Sequence, residues 1–166
     1  MNTAKTTQQK SRFTACIGVI SDTHGLLRPQ ALDLLRGADY IIHAGDVGNP
    51  NILDALRGIA PVTAVRGNVD NGAWANALPA TDVLEVHGTS IYMLHNIDDL
   101  DLNPQAAGFA AVVYGHSHMA EQEIRSGVLF FNPGAAGPRR FKLPVTVGRL
   151  LLRDGALHGE ILSVPI

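Results

Sequence analysis

The sequence predicts an α/β fold (α+β in some schemes) made of two packed sheets with helices outside them. Three observations predict it. Residues 15–65 alternate short apolar runs with helical patterns, in the order β-α-β-α-β. That order requires parallel strands joined by right-handed crossovers. The middle and the end of the chain then switch to hairpin patterns, which belong to a second set of strands. Reactive polar residues also recur just past the apolar runs, where parallel sheets build their sites.

Residues 15–21 are apolar and rich in β-branched side chains, with no polar alternation. Such a run suits a central strand buried on both faces. Gly25 breaks the chain, Pro29 suits a first helical turn, and Leu27, Ala31, Leu34 and Leu35 recur at helical spacing. Gly37 ends that helix. Residues 39–45 are the second strand. Asn49-Pro50 starts the next helix with cap and first-turn residues in the favoured order. Ile52, Leu53 and Leu56 form its apolar stripe, and Gly58 closes it. Residues 61–65 are the third strand.

Residues 83–87 and 90–94, joined at Gly88, read as a hairpin. Asn103-Pro104 opens a short helical turn ending near Gly108. Residues 110–114 are another buried strand, 128–131 lead into the turn signal Asn132-Pro133-Gly134, and 145–152 pair with 158–164 across Asp154-Gly155. Residues 1–12 are polar and read as a flexible tail, leaving a single domain over 13–166.

Composition removes several function classes. A formal charge of -2 gives no strong electrostatic case for nucleic acid. No apolar run approaches the ~20 residues of a membrane span, and the N-terminus lacks the apolar core of a signal peptide. The one cysteine, Cys16, cannot form an internal disulfide and reads as a small buried hydrophobe. The expected compartment is the cytoplasm.

The polar residues at strand ends are Asp22, His24, Asp46, Asn68, His95, His116 and His118. Two carboxylates, an amide oxygen and four imidazoles are metal-ligand types. They are too many for one tetrahedral site and suit two ions sharing a ligand. A carboxylate is the natural bridge, because its two oxygens can each face one ion. Singly, each has a bland reading: turn or cap residues for the aspartates, a plain turn for 68–70. The joint pattern outweighs these. His43, inside an apolar strand, reads as a hydrogen-bonded core histidine. His87 and His158 fall in hairpins and read as surface residues. Trp74 and Phe141 read as packing residues before stacking ones.

Asp22-x-His24, Gly45-Asp46, Gly67-Asn68, His95 and Gly115-His116-x-His118 resemble the five ordered motifs of the calcineurin-like metallophosphoesterases. Their spacing resembles the small, single-domain phosphodiesterase branch. The resemblance implies a four-layer α-β-β-α sandwich of two mixed sheets. It implies that Asp22, His24 and His118 bind one metal, that Asn68, His95 and His116 bind a second, and that Asp46 bridges them. The cofactors implied are two divalent ions, Mn2+ first, with Fe, Zn, Ni or Co as alternatives. The implied reaction is hydrolysis of a small-molecule phosphate diester by a metal-bridging hydroxide, with Asp46, Asn68 and His95 as the catalytic set. A phosphomonoesterase or a nucleotide pyrophosphohydrolase on the same ions, or a non-catalytic protein-binding scaffold, are the competing expectations, and a homo-oligomer is left open.

Three departures from the family pattern stand out. Val69 occupies the place of a histidine that serves relatives as a general acid. Asn96 follows His95 where glycine is usual, and either crowds the site or contacts substrate. Ala135 stands where a serine is common in the late turn. Arg66, Asn96 and Arg139 are the expected substrate contacts, with a solvated turn as the competing reading for Arg139 and Arg140.

Overall fold

A computed structural model describes residues 14–166, so the tail expected over residues 1–12 lies outside the described residues. Strand β1 (Ala15–Ile20) is central, as its unbroken apolar run requires. It pairs parallel with β2 (Tyr40–His43) and antiparallel with β9 (Thr146–Arg153). β3 (Val62–Ala64) extends the parallel set, and β10 (Ala156–Ser163) closes the other edge. The first sheet therefore runs β10-β9-β1-β2-β3.

Helices α1 (Pro29–Leu35) and α2 (Pro50–Arg57) are the crossovers between these parallel strands. Asn49 caps α2, its side chain accepting from the Asn51 amide at 2.9 Å. Ile52, Leu53 and Leu56 bury the stripe read from the sequence. They share a cluster with Leu35, Ile41 and Val147 on the outer face of the first sheet. Each such side chain contributes ~1.5–3 kcal/mol on burial.

The second sheet runs β4 (Thr81–Val86), β5 (Thr89–Leu94), β6 (Ala111–Val113), β8 (Val128–Asn132) and β7 (Glu121–Arg125). β5, β6 and β8 are mutually parallel, and β4 and β7 are antiparallel edges. Ile17, Val19 and Ile42 from the first sheet meet Ile91, Met93, Val113 and Phe131 from the second in a dry core. Phe131 is fully buried there. Its ring lies so close to Gly148 of β9 and Gly159 of β10 that a Cβ on either would come within 2.5–2.7 Å of it. The outer face of the second sheet, Tyr92, Leu94, Val112 and Phe130, is covered by Ile97, Leu100, Leu102 and Phe109. That fourth layer is a 3-10 turn (Ile97–Asp99) followed by the turn that Asn103 caps, its side chain accepting from the Ala106 amide.

Three elements were not read from the sequence. β7 is exposed along its whole length, and Glu-Gln-Glu-Ile-Arg shows no buried alternation. It is a charged edge strand held by pairing with β8. The 3-10 turn and the four-residue helix α3 (Ala73–Asn76) are too short to show periodicity. Trp74 of α3 packs against the outer cluster, as expected. Among the described residues no helix is long and apolar enough to cross a membrane.

Candidate metal centre

Asp22, Asp46 and Asn68 follow β1, β2 and β3 of the first sheet. His95 follows β5, and His116 and His118 follow β6, of the second. The two sheets bring these strand ends together, and all seven residues expected at the site meet. Asp22 Oδ1 lies 3.2 Å from His118 Nε2, 3.6 Å from His24 Nε2 and 3.9 Å from His95 Nε2. Asp46 Oδ2 lies 3.2 Å from His95 Nε2 and 3.5 Å from His24 Nε2. Two groups are placed to hold a metal ion: Asp22 with His24 and His118, and Asp46 with His95 and His116. Asn68 Oδ1 joins the second group, 3.2 Å from His116 Nδ1.

The position of Asp46 sharpens the sequence reading. Its Oδ1 does not face the cluster; it accepts from the Val69 amide at 3.0 Å. Oδ2 alone stands between His24 of one group and His95 of the other. Oδ2 is therefore the Asp46 oxygen that would be open to a metal held by either group, Oδ1 being taken by the Val69 amide. Val69 provides no proton from its side chain, but its backbone N–H holds Asp46.

The backbone is bent to make this possible. Asp22, His24, Asp46, His116 and His118 all have φ between 45° and 73°. Among the other non-glycine residues of this kind, His87, Ser126 and Asp154 each precede a glycine in a hairpin turn, where positive φ is normal. At the cluster no turn type demands it. Asp and His tolerate this region better than most residues, at a cost on the order of 1 kcal/mol each.

Hydrogen bonds from backbone and neighbouring side chains aim the donors. Asp22 Oδ2 accepts from Ser21 Oγ at 2.7 Å and the His116 amide at 3.1 Å, leaving Oδ1 for the cluster. His95 Nδ1 donates to the Ala44 carbonyl at 2.8 Å, so Nε2 carries the lone pair. Burial would raise the Asp46 carboxyl, but the His95 imidazole 3.2 Å away and the Val69 amide outweigh it and hold it at about 2. Burial would lower His95, but the nearby Asp46 and Asp22 carboxylates outweigh it and leave it raised. Burial lowers His118, with Asp22 opposing and the charge of Arg140 adding to the fall.

Three supporting residues were not identified from the sequence. Asp70, almost fully buried, accepts from the amides of Val47, Gly48 and Gly67 and so ties the Asp46 loop to the Asn68 loop. Asn132 donates to the Gly115 carbonyl at 3.0 Å and Ser117 Oγ at 3.1 Å, fixing the loop of His116 and His118. Thr23 Oγ1 donates to the Val47 carbonyl and accepts from His43. For Thr23 and Asp70 the signal available was a polar residue one or two places from a motif residue, and for Asn132 it was the turn signal Asn132-Pro133-Gly134. His43 is the expected core histidine: its Nδ1 accepts from the Gly45 amide, which leaves the proton on Nε2. Full burial, with His95 and His24 adding to it, pulls its pKa down to about 3.

Two motif glycines mark where the loops touch. A Cβ at Gly67 would overlap Asp46, and one at Gly115 would overlap Ser21 and stand 2.6 Å from Asp22 Oδ2. Of the expected substrate contacts, Arg66 and Asn96 line a cleft with Asn68, His95 and His116. Arg139 turns elsewhere: its Nε donates to the Leu143 carbonyl, and it lines a groove with residues 163–166. Arg140 is the neighbour whose charge reaches His118.

The donor set fits divalent cations. Asp22 Oδ1 and His95 Nε2 are buried without hydrogen-bond partners, face each other, and are ligand atoms of the kind such ions take. An α/β sandwich carrying two acid–imidazole groups at its strand ends is the framework of a candidate divalent-metal centre. The chain belongs to the calcineurin-like phosphoesterase superfamily, whose domain model matches residues 16–155. It is 36% identical over 135 residues to the probable metallophosphoesterase MJ0623 of Methanocaldococcus jannaschii, covering 74% of this chain and 68% of that protein. It is 28% identical over 160 residues to the phosphodiesterase YfcE of Escherichia coli, covering 78% and 84%. The vacuolar protein sorting 29 structure from Cryptosporidium parvum shares the fold, with a TM-score of 0.71, 19% identity and 90% and 97% coverage.

Proposed function

We propose that this chain is a metal-dependent phosphodiesterase that hydrolyses small phosphate diesters, with Asp22, His24 and His118 holding one divalent ion, Asn68, His95 and His116 a second, and Asp46 shared. The single observation that supports it best is the position of Asp46 Oδ2 between the two groups. Two divalent ions, Mn2+ being the first to test, would polarise the phosphoryl oxygens and lower the pKa of a bound water. Asp22 and Asp46 offset two of their four positive charges and leave a field suited to an anionic phosphate. Arg66, on the cleft wall beside Asn68, adds a further cation toward the phosphoryl group. Water adds to phosphorus, one P–O ester bond breaks, and a phosphomonoester and an alcohol leave. Val69 offers no proton to that alcohol, so leaving groups that depart unassisted are favoured.

Stripping the protein with chelator, restoring Mn2+, and assaying bis-p-nitrophenyl phosphate beside p-nitrophenyl phosphate tests the reading. Metal-dependent turnover of the diester with little of the monoester supports it. Dominant monoester turnover turns the reading to a phosphomonoesterase. No turnover by folded, metal-loaded protein turns it to the scaffold role, against which the complete set of seven donors stands. Asp46→Asn should lower the uptake of both ions, measured by elemental analysis; unchanged uptake removes the shared role of Asp46.

A further inference from the structure

Beside His95 and His116 lies a cleft of about 400 Å3, between Arg66–Gly67–Asn68, the start of β4 and the segment that follows β5. Arg66, Thr81, Asn96, Asp99 and Asp101 make its polar wall, and no Phe, Tyr or Trp lines it. His95 also lines it, 6% exposed, with an Nε2 that has no hydrogen-bond partner. The cleft is thus continuous with the donor cluster. Asn96 Oδ1 is committed to the Asp98 amide at 3.0 Å. The carboxylates of Asp99 and Asp101 make no ion pair or hydrogen bond among the described residues, and neither does the Arg66 guanidinium.

We infer that this cleft receives one arm of the phosphodiester, and that the arm is a small cationic amino alcohol. The inference rests on the phosphodiesterase reading and narrows it. The volume admits a short arm. A nucleobase would find no Phe, Tyr or Trp to stack on. A second phosphate, as in a nucleotide pyrophosphate, would meet two uncompensated carboxylates and be repelled. A neutral apolar arm would desolvate the same carboxylates without pairing them. A cationic nitrogen two carbons from the ester oxygen pairs with them, while Arg66 takes the phosphoryl side.

The test compares p-nitrophenyl phosphorylcholine with p-nitrophenyl 3,3-dimethylbutyl phosphate, its neutral isostere with carbon in place of nitrogen. Both release p-nitrophenol and are read on Mn2+-loaded protein beside bis-p-nitrophenyl phosphate. The expected ratio of kcat/KM, cationic over neutral, is about three- to tenfold, the scale of two partly exposed charge pairs. It should shrink as salt rises, and fall to about one in the double variant Asp99→Asn with Asp101→Asn. Asp98→Asn, which changes net charge outside the cleft wall, should leave the ratio alone. A wild-type ratio at or below one, a ratio that ignores salt, or a double variant that keeps the preference overturns the inference while bis-p-nitrophenyl phosphate is still hydrolysed. Failure to hydrolyse all three esters overturns the phosphodiesterase reading and this inference with it.

Discussion

Asp70→Asn tests how the two carboxylate-side loops are held. In the native chain Asp70 Oδ2 accepts from Val47 N at 3.2 Å and Gly67 N at 2.9 Å, and Oδ1 accepts from Gly48 N at 2.9 Å. Asparagine has one acceptor oxygen. Its best orientation keeps Val47 and Gly67 and turns an NH2 against the Gly48 amide. One charge-assisted bond is lost at ~1.5–3 kcal/mol, and two others weaken from charged to neutral. The sum is about 2–4 kcal/mol. At about 2–4 °C per kcal/mol for a chain of this size, Tm should fall by roughly 5–15 °C. The assay is thermal unfolding followed by circular dichroism in chelator, so that metal does not enter the measurement. Asp70→Ala, which deletes all three acceptor contacts, should fall further. A change in Tm below about 2 °C for Asp70→Asn, or an alanine variant more stable than the asparagine one, would refute the argument that these three bonds carry the loop junction.

Three other outcomes are expected. Gly115→Ala drives a Cβ against Ser21 and Asp22, so it should cost ~1–3 kcal/mol and weaken metal uptake, read by thermal melts and elemental analysis; wild-type uptake would contradict the close approach. His43 titrates near 6.5 when unfolded and at about 3 when folded, so below pH 6.5 only the unfolded chain takes the proton and stability declines with acid. Between pH 7 and 5 this contributes a loss of about 2 kcal/mol in urea titrations with chelator, and His43→Gln should show a shallower decline; parallel pH dependences would remove His43 as the cause. Adding Mn2+ to metal-free protein should raise Tm with concentration, by about 5–10 °C at a hundredfold excess over Kd, and a Tm indifferent to every divalent ion tried would count against the donor cluster as a metal site.

The donors themselves were legible because each follows an apolar run, and the β-α-β-α-β order places such positions at one sheet edge. The caps and stripes of α2 were legible for the same local reason: Asn49, Pro50, Ile52 and Leu56 sit within one stretch of chain. What was hidden depends on contacts between distant stretches. The left-handed backbone at Asp22, His24, Asp46, His116 and His118 occurs where loops distant in sequence meet, at the close approaches of Gly67 and Gly115. Nothing in residues 68–70 reveals that Asp70 reaches back to Val47 and Gly48, some twenty residues earlier. β7 was hidden because a fully exposed edge strand carries no hydrophobic period. Arg139 was read as a phosphate contact or a solvated turn residue, and its Nε donates to the Leu143 carbonyl of its own loop.

Phe131 has a mechanical consequence. Its ring occupies the hollows left by Gly148 and Gly159 and works as a detent between the two sheets. Sliding one sheet over the other would drive the ring out of both hollows. The same slide would part Asp22 and Asp46, on one sheet, from His95, His116 and His118, on the other. The interior that resists shear thus keeps the strand-end carboxylates and imidazoles in register.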